Sequence, residues 1–113
     1  MANAVGWFEI HGKDGKAAQD FYASLFNWKI DANNPMSYGM VEGAEGGIGG
    51  GITGPDGPMV TVYVSVDDLA ATLKKAEGLG GQTVMPPMDV PGGPSIAQFR
   101  DPAGNVIGIM KTA

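Results

Sequence analysis

Cysteine is absent from this chain of 113 residues, and that one absence excludes disulfide scaffolds, thiolate zinc sites and cysteine nucleophiles together. It also leaves the compartment unfixed by redox chemistry. Positive charge is scarce: seven Lys plus Arg, only one of them arginine (Arg100), face twelve Asp plus Glu, for a net charge of −5. A basic stripe able to follow a phosphate backbone is missing, which excludes nucleic acid as a partner. Imidazole is nearly missing too, since His11 is the sole histidine. No apolar run approaches the ~20 residues that span a bilayer, so no membrane partner is expected. The opening Met-Ala-Asn-Ala-Val-Gly has no basic stretch leading into an apolar one, and a cytoplasmic protein is expected.

Glycine, by contrast, is abundant at 19 residues, with 8 prolines beside it. Such a share can signal disorder, but the segments between the glycines are strongly patterned. In Trp7-Phe8-Glu9-Ile10-His11 the even positions are apolar, while the odd ones carry an indole, a carboxylate and an imidazole. From Val60 to Val66 the even positions are all Val and the odd ones are Thr61, Tyr63 and Ser65. Side chains along a strand point alternately to opposite faces, so each segment has an apolar side and a functionalised side.

Each of these strands leads into a helical pattern. After Asp14, the residues Ala17, Ala18, Phe21, Tyr22 and Leu25 fall three or four apart, ending near Phe26-Asn27. After Asp67-Asp68, Leu69, Leu73 and Ala76 do the same until Gly80-Gly81. Asp14 and one of Asp67 and Asp68 suit the N-cap, where a carboxylate accepts the first free amides. The halves correspond at an offset of 54 residues: Ile10 with Val64, Asp14 with Asp68, Leu25 with Leu79, Gly39 with Gly93. Shorter strand candidates follow each helix, at 28–30, 37–41 and 47–52 and again at 83–85, 95–100 and 106–111.

The pattern predicts one domain of two repeated modules, 1–53 and 59–113, joined by a linker at 54–58, each running strand, helix, three strands. Met85-Pro86-Pro87-Met88 and the following Val90 to Pro94 read as a stiff surface loop, and Asp101 to Asn105 as a tight turn. The glycine run from Gly46 to Gly51 lacks the Gly-Lys-Ser/Thr ending of a phosphate loop and reads as a strand that something approaches closely.

With these features in order, the chain resembles the vicinal oxygen chelate superfamily, which includes glyoxalase I, bleomycin-resistance proteins and extradiol dioxygenases. The resemblance is carried by Trp7-Phe8-Glu9-Ile10, Asp14 followed by Phe21-Tyr22 and Leu25-Phe26-Asn27-Trp28, Val66-Asp67-Asp68 with Gly80-Gly81, and the Asp101-Pro102-Ala103-Gly104-Asn105 turn. It implies an α+β fold in which two βαβββ modules form a curved, cup-shaped mixed sheet with the helices packed outside. Phe8, Ile10, Val62, Val64, Ile107 and Ile109 would then face the helices. Trp7, Glu9, His11, Thr61, Tyr63, Ser65, Gly108 and Met110 would face the cup. Relatives commonly pair, so a homodimer is also implied.

Metal-dependent relatives hold a divalent ion through four His, Glu or Gln side chains, two per module. At the matching positions this chain has Trp7, Thr61, Gly108 and a residue of the glycine-rich run 46–52. An indole offers only an N–H donor, a threonine hydroxyl is a weak ligand and glycine has no side chain, so no metal and no cofactor are expected. A relocated divalent ion using Glu9 and His11 is the alternative. The expected function is binding of a planar or aromatic small molecule between Trp7 and Tyr63, with Glu9 orienting its polar end and His11, Thr61, Gly108 and Met110 completing the ligand-binding set. The alternative function is a glyoxalase-like lyase or isomerase with Glu9 as its catalytic base.

Overall fold

The computed structural model describes residues 2–112. The chain runs β1 (Val5–His11), α1 (Gly15–Phe26), β2 (Ile30–Asp31), β3 (Gly39–Val41), β4 (Gly49–Thr53), β5 (Met59–Val66), α2 (Leu69–Gly78), β6 (Gln82–Asp89), β7 (Ser95–Arg100) and β8 (Val106–Lys111). This is an α+β fold with the order strand, helix, three strands, twice over, as the pattern predicts. Contacts divide it into two compact units. One is Trp7–Thr61; the other is the rest of the described residues, from Val62 onward together with the stretch before Trp7. Among the described residues no helix is long and apolar enough to cross a membrane.

In the Trp7–Thr61 unit the strands lie in the order β2-β3-β4-β1, with β1 parallel to β4 and the other pairs antiparallel. The Asp14 carboxylate caps α1 by accepting from Ala17 N–H at 3.0 Å, and Asn27 closes it in a left-handed conformation (φ 58°). Inside, Tyr22 stacks on Trp28 at 5.8 Å between centroids, and Phe8 of β1 meets Trp28 at 5.5 Å. The apolar spacing of α1 implies an inward stripe, yet Phe21, Leu25 and Phe26 stay more than half exposed, and the buried residue of this helix is Gln19. The glycines explain this. Gly39 leaves room that a Cβ would deny, since it would come within 2.7 Å of Gln19 Nε2. The amide thereby reaches the Ser37 and Ile52 carbonyls, donating to them at 3.1 and 2.9 Å. Burying an amide is tolerable when its N–H groups are satisfied in this way.

In the second unit the order is β5-β8-β7-β6, with β5 parallel to β8 and the other pairs antiparallel. Of the two capping candidates Asp68 is the one used, accepting from Ala71 N–H at 3.0 Å. Here the helical spacing does bury its stripe. Leu69 and Leu73 join Val66, Ala97 and Ile109 in the core, with Val64 and Phe99 packed against it. The proline segment expected to be a loop is instead the middle of β6. That strand lies at the sheet edge, where a missing N–H breaks no ladder, and the register slips between Thr83 and Met88 around the prolines. The Asp101 to Asn105 turn forms as predicted, with Gly104 N–H donating to the Asp101 carbonyl at 2.9 Å.

Candidate functional site

Strand β1 sends Trp7, Glu9 and His11 to one face of its sheet and Phe8 and Ile10 to the other, where Phe8 meets the aromatic residues beside α1. Register fixes their neighbours. Trp7 lies opposite Gly49, while Glu9 shares a row with Gly51 of β4, Met40 of β3 and Asp31 of β2. Cross-strand partners point to the same side. The functionalised face therefore carries Trp7, Glu9, Met40 and Asp31 around a floor of bare glycine backbone.

Those glycines are required by what covers them. A Cβ at Gly51 would collide with the Tyr38 ring, and one at Gly50, on the opposite face, would collide with Phe8. The chain's own aromatic rings are thus the close approach expected along the glycine run. Tyr38 then connects its neighbours: its hydroxyl accepts from Trp7 Nε1–H at 3.0 Å and donates to Glu9 Oε2 at 2.8 Å. The other oxygen, Glu9 Oε1, lies 2.6 Å from His11 Nε2, and His11 Nδ1 lies 3.0 Å from Asp56 Oδ2. Five side chains form one hydrogen-bonded line, Trp7–Tyr38–Glu9–His11–Asp56.

His11 is not the solvated strand end that its neighbours Gly12 and Lys13 imply. Its side chain is 15% exposed, with a carboxylate at each ring nitrogen. Partial burial opposes the imidazolium charge, but the hydrogen bonds the ring gives to Asp56 and Glu9 and the negative charges of those carboxylates outweigh it, holding His11 above its ordinary value of 6.5. Only the protonated ring can donate to both carboxylates at once.

Next to this line Trp7 borders an open concavity of about 470 Å³, with Lys29, Asp31, Met40, Glu42 and Gly49 among its lining residues. The other predicted residues are arranged differently. Tyr63 is 4% exposed, its ring covering Gly108 and its hydroxyl accepting from Gln98 Nε2 at 3.0 Å. Met110 packs on Gly6, and Thr61 is buried. Alternation thus finds Trp7, Glu9 and His11 as a group but misses Tyr38, Asp56 and the Met40 row. Alternation along β3 would have flagged Tyr38, Met40 and Glu42 as one face. Nothing in Pro55-Asp56-Gly57 distinguishes Asp56 from any other turn aspartate.

The positions at which a metal ion is implied offer few donors. The only polar atom of the Trp7 side chain is an N–H already given to Tyr38. Gly108 has no side chain and lies under Tyr63, and β4 supplies Gly49, Gly50, Gly51 and Ile52. Among the described residues no three His, Asp or Glu side chains are grouped to hold a metal ion. The donor set at these positions does not fit a divalent ion.

Comparison with known proteins finds relatives of this fold and sequence. The chain belongs to the Glyoxalase/Bleomycin resistance protein/Dioxygenase superfamily, whose profile matches residues 4–109. It is 31% identical to the anthracycline biosynthesis protein DnrV of Streptomyces peucetius, over 96% of this chain and 46% of that protein. It is also 31% identical to CFP32 of Mycobacterium tuberculosis, named as a candidate glyoxylase, over 100% of this chain and 47% of that protein. The chain spans about half the length of these relatives. Among solved structures, hypothetical protein BH1468 from Bacillus halodurans matches with a TM-score of 0.73 at 14% identity, covering 100% of this chain and 96% of that one. Methylmalonyl-CoA epimerase from Mycobacterium tuberculosis matches with a TM-score of 0.70 at 14% identity, over 96% and 87%. At such identity the structural likeness speaks for the fold alone.

Proposed function

We propose that this protein binds a planar or aromatic small molecule on the Trp7 face of the Trp7–Thr61 unit, without a metal ion. One observation carries the reading: an indole borders an open concavity with its N–H tied to Tyr38, so its plane is set before any ligand arrives. A ring fixed in advance loses little entropy on binding, and apolar walls with a few polar groups are the usual make-up of a small-molecule site. Asp31 and Glu42 outnumber Lys29 around the concavity, which favours neutral or cationic ligands. The lyase or isomerase alternative asks Glu9 to take a proton, whereas both of its oxygens already have partners in Tyr38 and His11. Glu9 is therefore given a holding role.

The test is a fluorescence titration with proflavine, an anthracycline and a neutral naphthalene, the anthracycline being included because a relative is named for its biosynthesis. Trp28 also emits, so Trp7→Phe is the control. Saturable quenching in the wild type that disappears in Trp7→Phe supports the reading. No saturable change with any of the three probes overturns it.

A further inference from the structure

We propose that His11 and Asp56 are positioning residues for the Trp7 site: by gripping Glu9 they hold Tyr38, and through it the indole, so that losing the proton from His11 slackens the ligand-binding face. The inference rests on the reading of that face as a binding surface. It extends that reading to residues that touch no ligand and to its regulation by pH.

The geometry has three parts. First, Asp56 is anchored independently of its side chain. It lies in the loop between β4 and β5, where its N–H donates to the Gly12 carbonyl at 3.0 Å and Gly12 N–H donates to the Thr53 carbonyl at 3.1 Å. Its carboxylate is therefore presented to His11 by backbone that is already tied to the end of β1. Second, the charged groups acting on the ring are Glu9 on its own strand and Asp56 on this loop; the β4 residue beside it in register is the uncharged Thr53. A neutral imidazole has one N–H and one lone pair, so at one of its nitrogens it must meet a carboxylate oxygen with no proton between them. One contact is then lost. Third, besides the β1 backbone that they share, His11 and the indole are joined by a side-chain route of hydrogen bonds: His11 with Glu9, Glu9 with Tyr38, then Tyr38 with Trp7 Nε1. A change at His11 therefore has a defined side-chain path to the ring, and that path runs through the Tyr38 hydroxyl.

The decisive measurement needs no ligand. In protein carrying ¹⁵N-labelled tryptophan, the two indole N–H signals are distinguished by Trp7→Phe, and the sole histidine gives its own ring-proton titration. The Trp7 signal is expected to move with the His11 midpoint, above 6.5, while the Trp28 signal stays flat. Asp56→Asn should lower both midpoints together, and Asp56→Glu should restore them. Tyr38→Phe should leave His11 titrating but freeze the Trp7 signal. A Trp7 signal that ignores His11 in the wild type, or that still follows it in Tyr38→Phe, overturns the proposal. Should Tyr38→Phe fail to fold, the Asp56 pair decides alone, because that side chain is 54% exposed and little packing depends on it.

A second arm uses proflavine below the His11 midpoint. Loss of one link, a hydrogen bond worth ~0.5–1.5 kcal/mol, should weaken binding in Asp56→Asn by roughly two- to tenfold. The two readings fail separately. Coupled titration without binding of any probe sinks the binding function alone, and binding with an uncoupled indole sinks the positioning role alone.

Discussion

Gln19 of α1 and Leu73 of α2 stand 54 residues apart, the offset that relates the two halves of the chain, and both are buried at 6% exposure. Leu73 reaches its core by apolar contact with Val66, Ala97 and Ile109. Gln19 reaches its position by two hydrogen bonds, to the Ser37 carbonyl just before β3 and the Ile52 carbonyl of β4, while Phe21, Leu25 and Phe26 remain more than half exposed. One βαβββ pattern therefore attaches its helix in two ways. In the second unit burial of hydrocarbon does the work. In the first, glycine-rich strands expose backbone acceptors, and a donor side chain is worth more there than another methyl group.

This contrast can be broken by exchange of kinds. Leu73→Ala removes buried methyl groups and should destabilise by ~2–5 kcal/mol, read as a lower denaturant midpoint at unchanged slope. Gln19→Leu places in the first helix the residue type that the second uses. It strips the donors from the Ser37 and Ile52 carbonyls and should cost ~1–3 kcal/mol in spite of the added hydrocarbon. A stabilised Gln19→Leu protein would show that α1 is held as α2 is, and the distinction would fall.

The glycine floors sharpen the comparison. Gly51 lies under Tyr38 in one unit and Gly108 under Tyr63 in the other. An alanine at either should overpack by ~1–3 kcal/mol. The consequences should differ, however. Gly51→Ala displaces the ring that holds the Trp7 N–H, so it should also shift the indole signal. Gly108→Ala displaces a tyrosine bonded to Gln98 and should leave that signal where it is.

How far the sequence revealed this can be seen at particular residues. Alternation in Trp7 to His11, the cap at Asp14 and a second at one of Asp67 and Asp68, and the strands at 95–100 and 106–111 are all legible, because each rests on local geometry. The glycine run was legible as a place of close approach, but Phe8 and Tyr38 as the approaching rings were not. The start of β6 is legible at 83–85, but its continuation through Pro86 and Pro87 is hidden, because prolines argue against a strand unless it is known to be an edge, and an edge is a property of the assembled sheet. Tyr38 and Asp56 reach their partners across 29 and 45 residues, a separation that no window along the chain spans. Buried Gln19 was missed because periodicity locates an apolar stripe and says nothing of unpaired carbonyls beneath it.

The smallest expected effect separates the units by their response to pH. Partial burial works against the charged ring, but the hydrogen bonds it gives to Asp56 and Glu9 and their negative charges hold His11 above its ordinary 6.5 in the folded protein. Its stabilising contribution is then complete below about 6.5 and is lost as pH rises through the higher folded value. Asp101 in the second unit has the opposite sign. Hydrogen bonds from the Asn105 side chain and backbone hold it below its ordinary 3.8, so its contribution is present above that value and is lost as pH falls through the lower folded one. Amide protection factors, which correct for intrinsic exchange, read the two ends separately. The Asp56 N–H on the Gly12 carbonyl should lose protection on the alkaline side, and the Asn105 N–H on the Asp101 carboxylate on the acid side. His11→Gln should abolish the first trend and spare the second, and Asp101→Asn should do the reverse. If protection at both amides instead falls together at either extreme, the units open as one cooperative body and the two titrations are not local to the turns that hold them.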